Sequence, residues 1–351
     1  MRMKNKLVKH PSPYSVELLN GPEYIFDVFD KSNEFLRNNP KHKDTINLYL
    51  LANRHILDLV PQLVYNFWSG HTFPLSEAEY ELESSVNLAL FGFYKQAIYS
   101  LRNFLELGLL SIYWNVEDMG HITIQNWLHS LEDTPFRDKV LKLILRNKNI
   151  EKFNNKTSII EKITILYKEL CNYTHTKGRK YSTSALIRSN VNNFNEKSFI
   201  KWLNYFRQAV RVVVTLHLLK YPVGLQCTPI AEKFGLNEPA GGFLNPYQAE
   251  QIKKIFNDKI LKILQKISDE DKSAVALAKK INHHPDITEE EFVKQIEEND
   301  KWQIEGMGFK KWLSNEKVLY KPLKASNPQE YKEKMKYVKK MREWAKSKNL
   351  I

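Results

Sequence analysis

The stretch from Leu166 to Arg179 holds the densest set of chemically capable side chains in this 351-residue chain. It contains one histidine (His175), one amide (Asn172) and the cations Lys168, Lys177 and Arg179, with Lys180 directly after. An imidazole set among cations suits proton transfer at a group next to a phosphate. Its ordinary pKa lets it serve as base or acid near neutral pH, and cations stabilise charge on phosphoryl oxygens. Lys168, Cys171 and His175 stand at i, i+3 and i+7, one face of a helix. That spacing places His175 at or just past a helix C-terminus, where positive charge is favoured. Tyr173 and Tyr181 are candidates to stack on exposed bases. The commoner role of a lone histidine at a helix end is a cap with its ring bonded to a carbonyl, and both readings stand at this point.

Charge adds weight to the same region. Residues 137–220 contain 18 Lys and Arg against 5 Asp and Glu, a local excess equal to the +13 of the whole chain. A field concentrated on one part of a molecule steers polyanions, whereas spread charge only solvates. Arg137, Lys142 and Arg146 are therefore expected to hold flanking phosphates, with an affinity that falls steeply with salt. The last stretch, 310–351, is the other basic region, with 13 Lys and Arg against 4 Glu.

A second polar pair lies upstream. Arg102 and Glu106 are four residues apart inside an otherwise apolar run that includes Phe104, Leu105, Leu109 and Leu110. Buried charges survive only when paired and hydrogen-bonded. The pair either fixes helix register or forms the floor of a polar pocket faced by Asn172 and His175. Arg211 and His217 repeat an Arg–His spacing, but nearly all residues between them are apolar. Six residues turn a helix through about 240°, so the two side chains do not share a face.

These groups must be positioned by helices. Apolar residues recur with the 3.6 period over 14–37, 43–68, 76–115, 122–131, 135–148, 157–173, 196–220, 246–267, 269–282, 288–299, 308–314 and 328–347, and no alternating strand of five residues is evident. Ser76 to Glu79 reads as a capping box, as does Thr288 with its following glutamates, and Asn327-Pro328 as a helix start. The fold class expected is all-α, an up-and-down bundle over 1–222. A Pro/Gly-rich connection over 223–247 and a smaller charged helical region over 248–351 follow. The last helix carries a narrow apolar stripe, Met335, Val338, Met341 and Trp344, expected to dock lightly or fray.

Several chemistries lack their residues. Cys171 and Cys227 are the two cysteines, too few for a disulfide framework or a four-thiolate zinc site. There is no Gly-x-x-x-x-Gly-Lys, no His-Glu-x-x-His and no Cys-x-x-Cys. His283-His284-Pro285-Asp286 reads as a solvated helix terminus. No apolar run approaches the ~20 residues of a membrane span, and the basic start, Met1 to Lys9, lacks the apolar stretch of a secretory signal. A cytoplasmic protein without metal, cofactor or membrane partner is expected.

Two motifs together suggest a family. Ala97-Ile98-Tyr99-Ser100-Leu101-Arg102-Asn103-Phe104-Leu105-Glu106 is followed some sixty residues later by Leu170-Cys171-Asn172-Tyr173-Thr174-His175. This pair resembles the HEPN superfamily of helical-bundle proteins, over about 76–220. The resemblance implies a bundle that is often a homodimer. In active members of toxin and phage-defence systems it implies a metal-independent endoribonuclease. The family's catalytic signature is an arginine, four to six residues, then a histidine. Here Lys168 stands in the arginine's slot before His175, and a lysine lacks arginine's bidentate contact with phosphate. Catalysis would thus fall to His175, Lys168 and Asn172 with Arg102 and Glu106 behind them, and RNA binding to Lys177, Arg179, Lys180 and the residues named above. The alternative is a non-catalytic module that binds RNA, a nucleotide or a protein partner such as an antitoxin.

Overall fold

Helical periodicity runs through almost the whole sequence, and a computed structural model of the chain bears it out. The structure describes residues 22–61, 69–70, 72–187, 193–226, 228–237 and 241–351, and among these it is all-α, with no strand. The helices are α1 (Pro22–Asn38), α2 (Pro40–Leu59), α3 (Phe73–Leu90), α4 (Tyr94–Trp114), the single turns α5 (Gly120–Thr123) and α6 (Gln125–Leu128), α7 (Arg137–Ile144), α8 (Lys148–Thr157) and α9 (Ile159–Thr174). There follow α10 (Thr183–Leu186), α11 (Glu196–Lys220), α12 (Ile230–Phe234), α13 (Pro246–Lys253), α14 (Asp258–Glu270), α15 (Lys272–Asn282), α16 (Glu289–Met307), α17 (Phe309–Ser326) and α18 (Pro328–Ser347). The expected helical segments 14–21 and 62–68, and Cys227, lie outside the described residues.

The chain forms two units. One comprises residues up to 228 together with 240–278, and the other comprises 229–239 with 279–351. In the first, α4 is the central element. Tyr94, Ala97, Ile98, Leu101, Phe104, Leu105 and Ile112 are all buried, and α3, α7, α9 and α11 pack around the helix. Helix α11 approaches closely because Gly108 has no side chain: a Cβ there would lie 2.6 Å from Val213 Cγ2. Apolar contact over most of its circumference, rather than propensity, holds such a helix in place.

The expected single helix over 76–115 is two. Gly92, at φ +80, turns the chain between α3 and α4. A Cβ at this position would come within 2.8 Å of the Asn193 carbonyl oxygen. The capping box at Ser76 is also corrected. Helix α3 begins earlier, at Phe73 with Pro74 in its first turn and no side-chain cap, and Glu79 pairs with Arg54 at 3.1 Å. Proline fits the first turn because the N–H it lacks has no partner there. Helix α8 fills the gap left between the helices expected at 135–148 and 157–173. It starts at Asn147, whose side chain accepts from the N–H groups of Asn149 and Ile150.

The division of the chain differs from the one expected. Residues 240–278 return to the first unit, where Ala249, Ile252, Ile255, Leu264, Ile267 and Ala274 join the main core. The Pro/Gly-rich stretch marks where the chain turns, and turns occur within units as well as between them. The second unit has its own core of Ile304, Phe309, Trp312, Tyr320, Val338, Met341 and Ala345. Asp300, its one buried carboxylate among the described residues, accepts from Trp312 Nε1 at 3.0 Å and from the Tyr337 hydroxyl at 2.7 Å. Val338 and Met341 of the apolar stripe are thus core residues, whereas Met335 is exposed. The expected caps at Thr288 and Asn327 are present, Thr288 as a full capping box and Asn327 accepting from the Glu330 N–H.

Candidate functional site

Helix α9 is set between two non-glycine residues in the left-handed region, Ser158 at φ +52 and Thr176 at φ +46. At its end the Thr176 N–H bonds the Tyr173 carbonyl at 3.1 Å and the Lys177 N–H bonds the Asn172 carbonyl at 2.9 Å. This is a Schellman closure, usually completed by glycine. It makes His175 the C-cap residue, with its own N–H on the Cys171 carbonyl at 3.0 Å. The His175 side chain is exposed, and its imidazole has no hydrogen-bond or ion-pair partner among the described residues. The ring is therefore not tied to a carbonyl as a cap would be.

Cations surround this corner. Lys177, Arg179 and Lys180 follow on the exposed turn. Lys168 is exposed on the face that leads to His175, about 10 Å along the helix axis at 1.5 Å per residue. From α4, Lys95 Nζ donates to Thr176 Oγ1 at 2.6 Å. The nearest carboxylate on α9, Glu169, is already engaged: the Tyr181 and Tyr205 hydroxyls donate to its two oxygens at 3.0 and 3.1 Å. Burial and the nearby Tyr173 and Glu169 push the Tyr205 phenol well above its ordinary range. Asn172, half-buried, closes the helix through its carbonyl.

The two tyrosines expected to stack on bases are corrected. Tyr173 is fully buried. Its ring meets Tyr181 edge-on at 5.0 Å and Tyr205 at 6.0 Å, with Lys201 Nζ 5.2 Å from its centroid. Tyr181 is buried too, and Lys180 Nζ donates to its hydroxyl at 3.2 Å. Three residues after the core residue Leu170, position 173 falls on the inward face of α9, so the ring packs inside.

Arg102 and Glu106 form the pair that the sequence suggested, at 2.8 Å, with both side chains about one quarter exposed. The side chain that completes the cluster is Tyr167, not Asn172 or His175. Its hydroxyl accepts from Arg102 Nη2 at 2.9 Å and donates to Glu106 Oε1 at 3.1 Å. Burial pulls the Arg102 guanidinium down, but Glu106, Tyr167 and the nearby Cys171 outweigh it and the net direction is up. Burial and the Glu106 carboxylate push the Tyr167 phenol up to about 12. The polar floor expected under His175 is thus a closed cluster of its own. Arg137 joins it with its guanidinium 5.4 Å from the Tyr167 ring, while also bonding Asp138. Lys142 is exposed without an ion pair among the described residues, and Arg146 reaches Glu117 at 3.4 Å instead.

The second Arg–His spacing is split between two environments. His217 is fully buried, with Nε2 3.2 Å from Ser111 Oγ and Nδ1 2.8 Å from the Val213 carbonyl. Arg211 turns instead to the Ile255 carbonyl, at 3.0 Å, and to Tyr49. Neither Lys95 nor Tyr99 was among the expected site residues. They lie with Arg102 and Glu106 at i, i+4, i+7 and i+11, a polar stripe on α4 that the period alone could have revealed.

The corner can therefore accept a polyanion at several cations and offer one free imidazole to a proton. Among the described residues, no three His, Cys, Asp or Glu side chains gather as metal ligands would, and no helix is long and apolar enough to cross a membrane. No protein-family model, curated protein or solved structure matches this chain.

Proposed function

We propose that the first unit binds RNA and cleaves it without a metal ion, with His175 as the proton-transferring group. The observation that carries this reading is the exposed imidazole at the end of α9, unengaged among the described residues, amid Lys168, Lys177, Arg179 and Lys180 with Lys95 beside it. His175 takes the proton of a ribose 2′-hydroxyl, and the 2′-oxygen bonds the adjacent phosphorus. The bond to the 5′-oxygen breaks, and that oxygen takes a proton from water. The products are a 2′,3′-cyclic phosphate and a 5′-hydroxyl. The cations stabilise the charge that develops on the phosphoryl oxygens. The reading keeps the HEPN resemblance as its family assignment. With it come a homodimer, a cytoplasmic location and a place in a toxin or phage-defence system.

A second reading, binding without cleavage, draws on Lys168. A lysine stands where the family's arginine would be, and Arg102 is tied to Glu106 and Tyr167. The test is incubation of labelled single-stranded RNA and tRNA with the protein in EDTA, beside His175→Ala. Cleavage by the wild type alone, abolished by a deoxyribose at the cut site, is expected. RNA shifted on a gel but left intact by both proteins would replace the first reading with the second. RNA neither cut nor bound would overturn both.

A further inference from the structure

A cavity of about 310 Å³ opens in the first unit between α8, α9, α11 and the turn into α14. It uses the N-terminal half of α9, through Ile159, Lys162 and Leu166, rather than the end that carries His175. Phe153, Leu166 and Phe256 give it apolar walls. Among the described residues its charged ones are Arg211 and Lys162, and no carboxylate lines it.

Arg211 is half-buried, and among the described residues every partner it has is neutral: Nε donates to the Ile255 carbonyl at 3.0 Å and Nη2 to the Tyr49 hydroxyl. The guanidinium also lies 5.6 Å from the Tyr49 ring. Neutral acceptors take two of its five N–H donors and leave its charge unbalanced where water is partly excluded. Lys162, at the rim, has no ion pair among the described residues either. Asn257, also in the lining, uses its side-chain oxygen to cap α14, accepting from the Ile260 N–H at 3.0 Å, and its amide N–H groups take no part in that cap.

We propose that this cavity binds a small phosphate monoester with a compact apolar body. The phosphate sits against Arg211 and Lys162, and the body against Phe153, Leu166 and Phe256. Two cations without an acid match the near-dianionic charge of a phosphate monoester better than the single charge of a carboxylate. A guanidinium fork also fits phosphate oxygens in pairs. The volume lies at the lower end of ligand sites, which limits the body to about the size of one ring.

The test is calorimetric titration of phenyl phosphate into the full-length protein, with inorganic phosphate and phenol as controls. Saturable binding of phenyl phosphate, roughly tenfold or more tighter than either control, is expected, a difference of about 1.4 kcal/mol. Lys162→Ala, on the exposed rim, should weaken it several-fold. Thr157→Trp, which fills the cavity, should abolish it in protein whose circular dichroism melt is unchanged. Absence of phenyl phosphate binding would overturn the proposal. So would equal binding of inorganic phosphate, or indifference to Lys162→Ala.

Discussion

Two histidines set in opposite environments mark the extremes of what single residues do here. His175 stands exposed without a partner among the described residues, whereas His217 is sealed between α4 and α11 and its imidazole is pulled down to about 4, by burial outweighing its bond to the Val213 carbonyl. In the unfolded chain that ring titrates near its ordinary value, so below it the unfolded state binds a proton that the folded state refuses. Stability therefore falls as pH drops from roughly 6.5 toward 4, by about 3 kcal/mol in all from this group. Urea unfolding at a series of pH values should show the loss in the wild type. His217→Gln, which keeps a polar partner for Ser111, should flatten it by about one proton; an unchanged slope would remove His217 as the cause. At this scale the sequence was most legible where spacing alone decides contact. The Arg102–Glu106 pair follows from four residues of helix. Tyr173 was misread because its type suits base stacking while its position, three residues after Leu170, turns it inward. Tyr167 was missed as the partner of that pair because contact between α4 and α9 is set by packing.

Helix α9 shows what boundaries contribute. Its C-terminal closure forces Thr176 into the left-handed region, where a β-branched residue is strained and glycine is not. Thr176→Gly should raise stability by about 0.5–1 kcal/mol despite losing the exposed contact with Lys95 Nζ. A thermal melt checks this, and a lowered midpoint would show that the Lys95 contact outweighs the strain. The opposite sign is expected at Gly108. Alanine is the better helix former, but its methyl would press on Val213 at 2.6 Å. Gly108→Ala should therefore destabilise, by about 1–3 kcal/mol for overpacking of a tight core. Val213→Ala in the same chain should restore part of the loss, and failure to do so would place the strain elsewhere. Long periodic elements were legible: α11 and α18 were expected at 196–220 and 328–347 and run over those residues. Breaks were not. The corner at Gly92 and the turn at Phe256 and Asn257 interrupt apolar patterns that continue across them, so periodicity carries no sign of either.

At the scale of the whole molecule, two separate hydrophobic cores predict two calorimetric unfolding transitions rather than one. Met341→Ala, a cavity in the smaller core, should cost about 2–5 kcal/mol there and shift only one of them. A single transition that moves as a whole would mean that the cores melt together. The all-α class was legible from composition, since few glycines and unbroken helical periods leave little else. The division was not, because membership in a core depends on where the chain returns. That return has a consequence for synthesis. The segment 229–237 leaves the ribosome early, yet what contacts it comes later: the Phe234 ring lies tilted against His284 at 4.6 Å, the Ile287 N–H bonds the Glu232 carbonyl, and Lys233 pairs with Asp286. Some fifty residues separate the two, so at about 5–20 residues per second the apolar side chain of Phe234 waits several seconds for its neighbour. In the cell that interval is an opening for chaperones, and a pause in translation before His284 would lengthen it.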